Sequence, residues 1–133
     1  MPRESLDVSE TFKVNWKKLR DQAPYPPAAF DFVREGLAHT VSMVHANAAG
    51  DDDSRHVSGQ QLCLGLRDYA IRQYGMLAKT VLNRWGVNRT EDFGNIVFAM
   101  IDAGLMRKTD EDHVDDFRDV FDFDEAFCAA KVG

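Results

Sequence analysis

His56 stands beside Arg55 and two residues before Ser58, where a helical pattern begins. A histidine moves protons near neutral pH, and a helix N-terminus attracts anions. Arg55-His56 is therefore the best single candidate for an anion site or a small catalytic centre. The more ordinary reading, an imidazole bonded to a loop carbonyl, is preferred. His39 and His45 fall six apart on one expected helix, off the i, i+4 spacing that lets two imidazoles share a metal. His113 lies among acids without a partner at ligand spacing. Asp110-Glu111-Asp112-His113-Val114 opens like a calcium loop, but Val114 stands where an oxygen ligand belongs and Asp115 where glycine belongs. For Asp122 and Asp124, helix capping by one of them is preferred to weak binding of a divalent ion. No metal or cofactor is expected. Neither Cys63 nor Cys128 has a histidine beside it, and no phosphate-cradling or nucleophile-elbow motif occurs. No catalytic residue is assigned.

Charge is distributed unevenly. Residues 55–89 hold Arg55, Arg67, Arg72, Lys79, Arg84 and Arg89 against Asp68 alone, while residues 90–133 hold 4 basic and 12 acidic side chains. With His56, these six cations are the candidates for binding an anion or a partner. One reading makes them a surface for nucleic acid. The other, preferred, pairs them with the acidic C-terminal segment or leaves them solvated. That segment carries Asp110, Glu111, Asp112, Asp115, Asp116 and Asp119 against Arg118, and such charge opposes approach to phosphates.

The elements that must position these groups are mostly helical. Phe12, Trp16, Leu19 and Ala23 predict a helix near 10–22, interrupted by Tyr25-Pro26-Pro27. Phe30, Val33, Leu37, Val41 and Val44 form the stripe of a helix over about 28–46, followed by a small, acidic loop. Ser58 and Gln61 form a capping box for a helix with Leu62, Leu66, Tyr69 and Ala70 inward and Gly75 as its stop. A shorter helix follows, with Met76, Leu77, Val81 and Trp85 apolar and Gly86 ending it. Thr90 is read as the cap of the next, whose inner face is Phe93, Ile96, Val97, Met100 and Ile101 and whose stop is Gly104-Leu105. Gly94 within it is read as close packing against a neighbouring backbone. Phe117, Phe121 and Phe123 lie two or four apart, as on a strand face, which predicts a hairpin near 105–123 and a terminal helix near 124–130.

The expected fold is thus α+β and predominantly helical, with about five helices and a C-terminal β-hairpin in winged-helix-like order. Residues 1–27 form an N-terminal helix and proline linker, and residues 28–133 one compact domain. The blocks Arg55-His56-Val57-Ser58-Gly59-Gln60-Gln61-Leu62, Gly65-Leu66-Arg67-Asp68-Tyr69-Ala70 and Arg89-Thr90-Glu91-Asp92-Phe93-Gly94, with Ala103-Gly104-Leu105 and Asp122-Phe123-Asp124-Glu125-Ala126-Phe127, resemble a small uncharacterised bacterial domain family. The resemblance covers about Phe30 to Phe127. It implies a stand-alone bacterial domain and carries over no activity, cofactor or site residue.

A chain of 133 residues that is 44% hydrophobic and 29% charged has globular composition and is long enough for one core. Two cysteines make no disulfide framework, the N-terminus has no apolar signal-like run, and no stretch is long and apolar enough to span a bilayer. A cytoplasmic location is expected. The leading expectation for function is a non-enzymatic interaction or regulatory module that binds another protein or itself. The alternatives are a nucleic-acid binder using residues 55–89 and a small enzyme centred on His56.

Overall fold

A computed structural model describes residues 19, 21, 23–45, 57–106 and 112–132. Among the described residues from Pro27 onward, five α-helical segments follow one another: α1 (Pro27–Val44), α2 (Gly59–Tyr74), α3 (Ala78–Arg84), α4 (Thr90–Asp102) and α5 (Phe123–Val132). Four of them have ten residues or more, at 18, 16, 13 and 10, and α3 is a seven-residue step. Among the described residues there are also two 3₁₀ turns, Gly75–Leu77 between α2 and α3 and Val114–Phe117 before α5. Of the helix expected near 10–22, only Leu19 and Asp21 are described, and both are helical.

No strand occurs among the described residues, which corrects the α+β expectation, the winged-helix-like order and the set of about five helices with a hairpin. Part of the expected hairpin, residues 107–111, lies outside the described residues. The described part is a 3₁₀ turn, a short irregular loop and the start of α5. The Phe spacing misled because the three rings serve three different elements. Phe117 ends the 3₁₀ turn and Phe123 opens α5, both buried; Phe121 lies in the loop between them, half-buried. Backbone groups that a partner strand would have satisfied are taken by Thr90. Its hydroxyl donates to Phe117 O at 2.7 Å and accepts from Val120 N at 3.1 Å, fully buried.

Thr90 is accordingly not the cap of α4. Arg89 is the N-cap residue, and Asp92 Oδ2 accepts the amides of Asn88 at 2.8 Å and Arg89 at 3.2 Å. A carboxylate at this end also meets the positive pole of the helix. The Ser58 cap is as expected: Ser58 Oγ accepts Gln61 N at 3.1 Å and Gln61 Oε1 accepts Ser58 N at 2.9 Å. Asp122 caps α5 by accepting Asp124 N at 2.7 Å. Gly86 and Gly104, at φ +85 and +80, turn the chain after α3 and α4. Each is followed by a Schellman bond, Val87 N to Leu82 O at 2.9 Å and Leu105 N to Met100 O at 2.9 Å.

The helices α1 and α2 make the main seam. A methyl at Gly65 would lie 1.9 Å from Thr40 Oγ1, and one at Gly36 would lie 2.2 Å from Leu66 Cδ2, so both glycines exist to bring the helices together. Thr40 can sit in this seam because its hydroxyl donates to Gly36 O at 2.7 Å. The inward stripe of α1 is therefore Ala29, Phe30, Phe32, Val33, Gly36 and Thr40, with Leu37 and Val41 partly covered and Val44 exposed. The expected stripe had missed Phe32, whose ring meets those of Tyr69, Tyr74, Trp85 and Phe93. Phe117 wedges the acidic segment onto this body. Its ring lies where a methyl at Gly59 or Gly94 would come within 2.9 Å, so Gly94 makes room for an aromatic side chain, not for backbone. Leu19, Ala23 and Tyr25 belong to the same buried cluster as the residues of α1 to α5.

Candidate functional site

Arg55 and His56 lie outside the described residues, so the first candidate centre has no described geometry. The remaining cations of the basic stretch go to different places. Arg72 Nε donates to Asp68 Oδ2 at 2.7 Å, one turn back on α2. Lys79 forms an ion pair with Asp124 at the start of α5. Arg67 lies over the Phe121 ring, 5.7 Å from its centroid. Arg84 and Arg89 are exposed and form no ion pair among the described residues. Lys79 thus pairs internally with the acidic C-terminal segment.

The structure assembles a cluster that spacing did not show. His39 Nε2 meets Asp68 Oδ2 at 2.8 Å across the α1–α2 seam, so Asp68 takes both His39 and Arg72. Burial alone raises the Asp68 carboxyl, but the hydrogen bonds from Arg72 and His39, and their charge, outweigh it and hold it below its ordinary value. One turn away Tyr69 OH donates to Glu35 at 3.1 Å, and the Tyr69 ring lies 5.4 Å from that of His39. Burial, then the Glu35 carboxylate, push the Tyr69 hydroxyl up. His39 and Asp68 are 29 residues apart in sequence, and no local signal joins them. The cluster ties two helices together and borders neither of the two clefts described below.

His45 is the C-cap of α1, and His113 precedes the 3₁₀ turn, where its amide donates to Asp116 Oδ2 at 3.2 Å. Among the described residues no group of three or more His, Cys, Asp or Glu is placed to hold a metal ion. Cys63 is fully buried, and burial, with the Glu91 charge second, pushes its thiol up to about 12, far from a reactive thiolate.

Two shallow clefts are formed by described residues. One, of about 390 Å³, lies between Ala23-Pro24-Tyr25 and α4. Tyr25 OH is held there, donating to Asp92 Oδ1 at 2.7 Å and accepting from Asn95 at 3.1 Å. Burial first raises this hydroxyl, to about 12. The other cleft, of about 340 Å³, separates the α3–α4 turn from the loop before α5 and carries Lys79, Arg89, Glu91, Asp119 and Asp124 on its walls. Its opposite charges leave no single-sign pole for one ionic ligand.

The most distinctive surface feature is apolar. Met76 and Leu77, expected as apolar residues of a short helix, are 68% and 63% exposed on the 3₁₀ turn between α2 and α3. The short turn offsets α3 from α2, so the helix buries Ala78 and Leu82 instead, both at 0%. The step is firmly based: Ala78 is in the core beneath it, and α5 packs against the turn. Nothing in the periodicity distinguishes Met76 and Leu77 from core residues; only the 3₁₀ turn turns them outward.

The chain matches no protein-family model, no curated protein and no solved structure. No helix among the described residues is long and apolar enough to cross a membrane.

Proposed function

We propose that this protein is an interaction or regulatory module that works by binding another polypeptide, and that the step formed by Met76 and Leu77 is its contact point. The observation that carries this reading is the exposure of two consecutive large apolar side chains on a turn anchored by Ala78 and α5. Scattered exposed apolar residues are ordinary, but an adjacent pair on a fixed base gains free energy whenever a partner removes it from water. Burying each side chain is worth about 1.5–3 kcal/mol. Methionine also adapts to partners of different shape.

The charge arrangement favours a protein over a nucleic acid as partner. Arg72 and Lys79 already hold carboxylates, so binding phosphates through them means giving up those pairs. The reading carries with it a cytoplasmic setting, supported by a cysteine content too low for a disulfide framework.

Capture from an extract of the source cells by the immobilised chain tests it, with the double variant Met76→Glu, Leu77→Glu as the comparison. Both positions are exposed, so the variant is expected to keep the wild-type helical spectrum. The reading expects bound protein that the variant fails to retain. Identical sets on both columns would remove the step as the contact point.

A further inference from the structure

The cleft of about 390 Å³ between Ala23-Pro24-Tyr25 and α4 has polar groups of one kind. Asn95 and Asp102 stand two turns apart on the face of α4 that lines it, with Phe98 and Ala99 between them. The two polar residues are thus roughly 10 Å apart along the helix axis. Val114, 54% exposed, adds an apolar wall. Among the described residues on these walls Asp102 is the only charged side chain, whereas the other cleft carries both signs. Asp102 forms no hydrogen bond or ion pair through its side chain among the described residues. It is also the last residue of α4, whose final turn holds no basic residue, so its charge sits on the negative pole of the helix.

At the other end the hydrogen bonds are fixed by chemistry. Asp92 can only accept, so the Tyr25 proton points to it. Burial raises this hydroxyl to about 12, so the proton stays in place at neutral pH. Tyr25 must therefore accept from Asn95 Nδ2, which leaves Asn95 Oδ1 as a spare acceptor beside a second lone pair on Tyr25. The cleft side chains thus offer acceptors at both ends and, as a spare donor, one amide N–H of Asn95. A fitting ligand brings donors and positive charge at both ends, with an apolar stem between. We propose that this cleft binds a linear aliphatic diamine, with one ammonium on Asp102, the other on Asn95 and Tyr25, and the methylenes over Phe98 and Ala99. An ammonium supplies three donors and no acceptor; an anion would find one donor and face Asp102 and Asp92. The cleft is shallow and near the lower limit of ligand pockets, so a Kd of about 1 mM is expected. It shares no wall residue with the Met76-Leu77 step and does not depend on the reading given to that step.

Titration of the full, isotope-labelled chain with cadaverine at neutral pH and constant ionic strength, followed by backbone and side-chain amide shifts, tests this. Saturable shifts are expected at Gly94, Asn95, Asp102 and Val114. The monoamine n-pentylamine should bind about tenfold more weakly, because it lacks one charge-assisted contact, and n-pentanol should not saturate the site. Asp102→Asn should weaken cadaverine about tenfold. The same change relieves the negative pole of α4, so urea unfolding should find the variant no less stable than wild type. A lost affinity is thereby told apart from a damaged fold. Absence of saturation up to about 20 mM overturns the proposal. So do shifts scattered over exposed carboxylates elsewhere, an Asp102→Asn form that binds as well as wild type, or equal affinity for the diamine and the monoamine.

Discussion

Thr90 is the residue on which the attachment of the acidic segment turns. Its hydroxyl gives α4 a polar hold on the irregular loop, through Phe117 O and Val120 N. Thr90→Val keeps the shape and leaves a buried carbonyl and an amide without their partner. A loss of about 1–3 kcal/mol in urea unfolding is expected, and Thr90→Ser should recover most of it. Equal stability of the Val and Thr forms would show that solvent or other groups satisfy the loop. The residue was legible as important, but not for this reason. A threonine before Glu-Asp at a helix start carries the usual signature of a cap, and the competing acceptor is 27 residues away. Asp92, three residues past Arg89, was legible only as a charge favoured by the dipole, yet it holds both amides. Short-range rules identify which residue types suit a helix end; the choice between them is made by whatever else is buried nearby.

At the scale of elements, the α1–α2 seam carries a polar cluster that crosses between helices. Because Asp68 titrates below its ordinary 3.8 in the folded chain, the unfolded chain takes up its proton first as pH falls. Its contribution to stability is present in full above the unfolded value and is lost as pH drops through the folded value. Wild type should therefore exceed Asp68→Asn in stability at neutral pH, and the gap should close below about pH 4. Asp68 is more than a third exposed, so the gap is small. Paired urea titrations from pH 2 to 7 check this; a gap that does not vary with pH would mean that the pair does not act through charge. The helices themselves were largely legible, since Ser58-Gln61, Gly86 and Gly104-Leu105 are local signals with local consequences. Their inward faces were less so. Small or polar residues such as Gly36, Gly65 and Thr40 look unsuited to a core, but here they are what allows two backbones to approach.

For the molecule as a whole, Leu19 is the test of whether the segment before the prolines is integral. It is fully buried in the same cluster as Phe30, Leu66, Phe93 and Phe123. Leu19→Ala is expected to cost about 2–5 kcal/mol, and helical dichroism and tryptophan fluorescence should lose structure at the same urea concentration in both forms. A small loss confined to one signal would indicate a segment that melts separately. Charge at this scale divides the chain without dividing the structure: Lys79 crosses to Asp124, and Arg67 crosses to Phe121.

By itself the amino-acid order indicated roughly where α1, α2 and α4 begin and end, because caps, proline blocks and glycine stops act over three or four residues. Tertiary structure alone decided that the three Phe of the C-terminal segment belong to a turn, a loop and a helix, that His39 meets Asp68, and that Met76 and Leu77 face outward. Those outcomes depend on which surfaces meet across tens of residues, and periodicity reports only how a segment could be sided, not which partner takes the side.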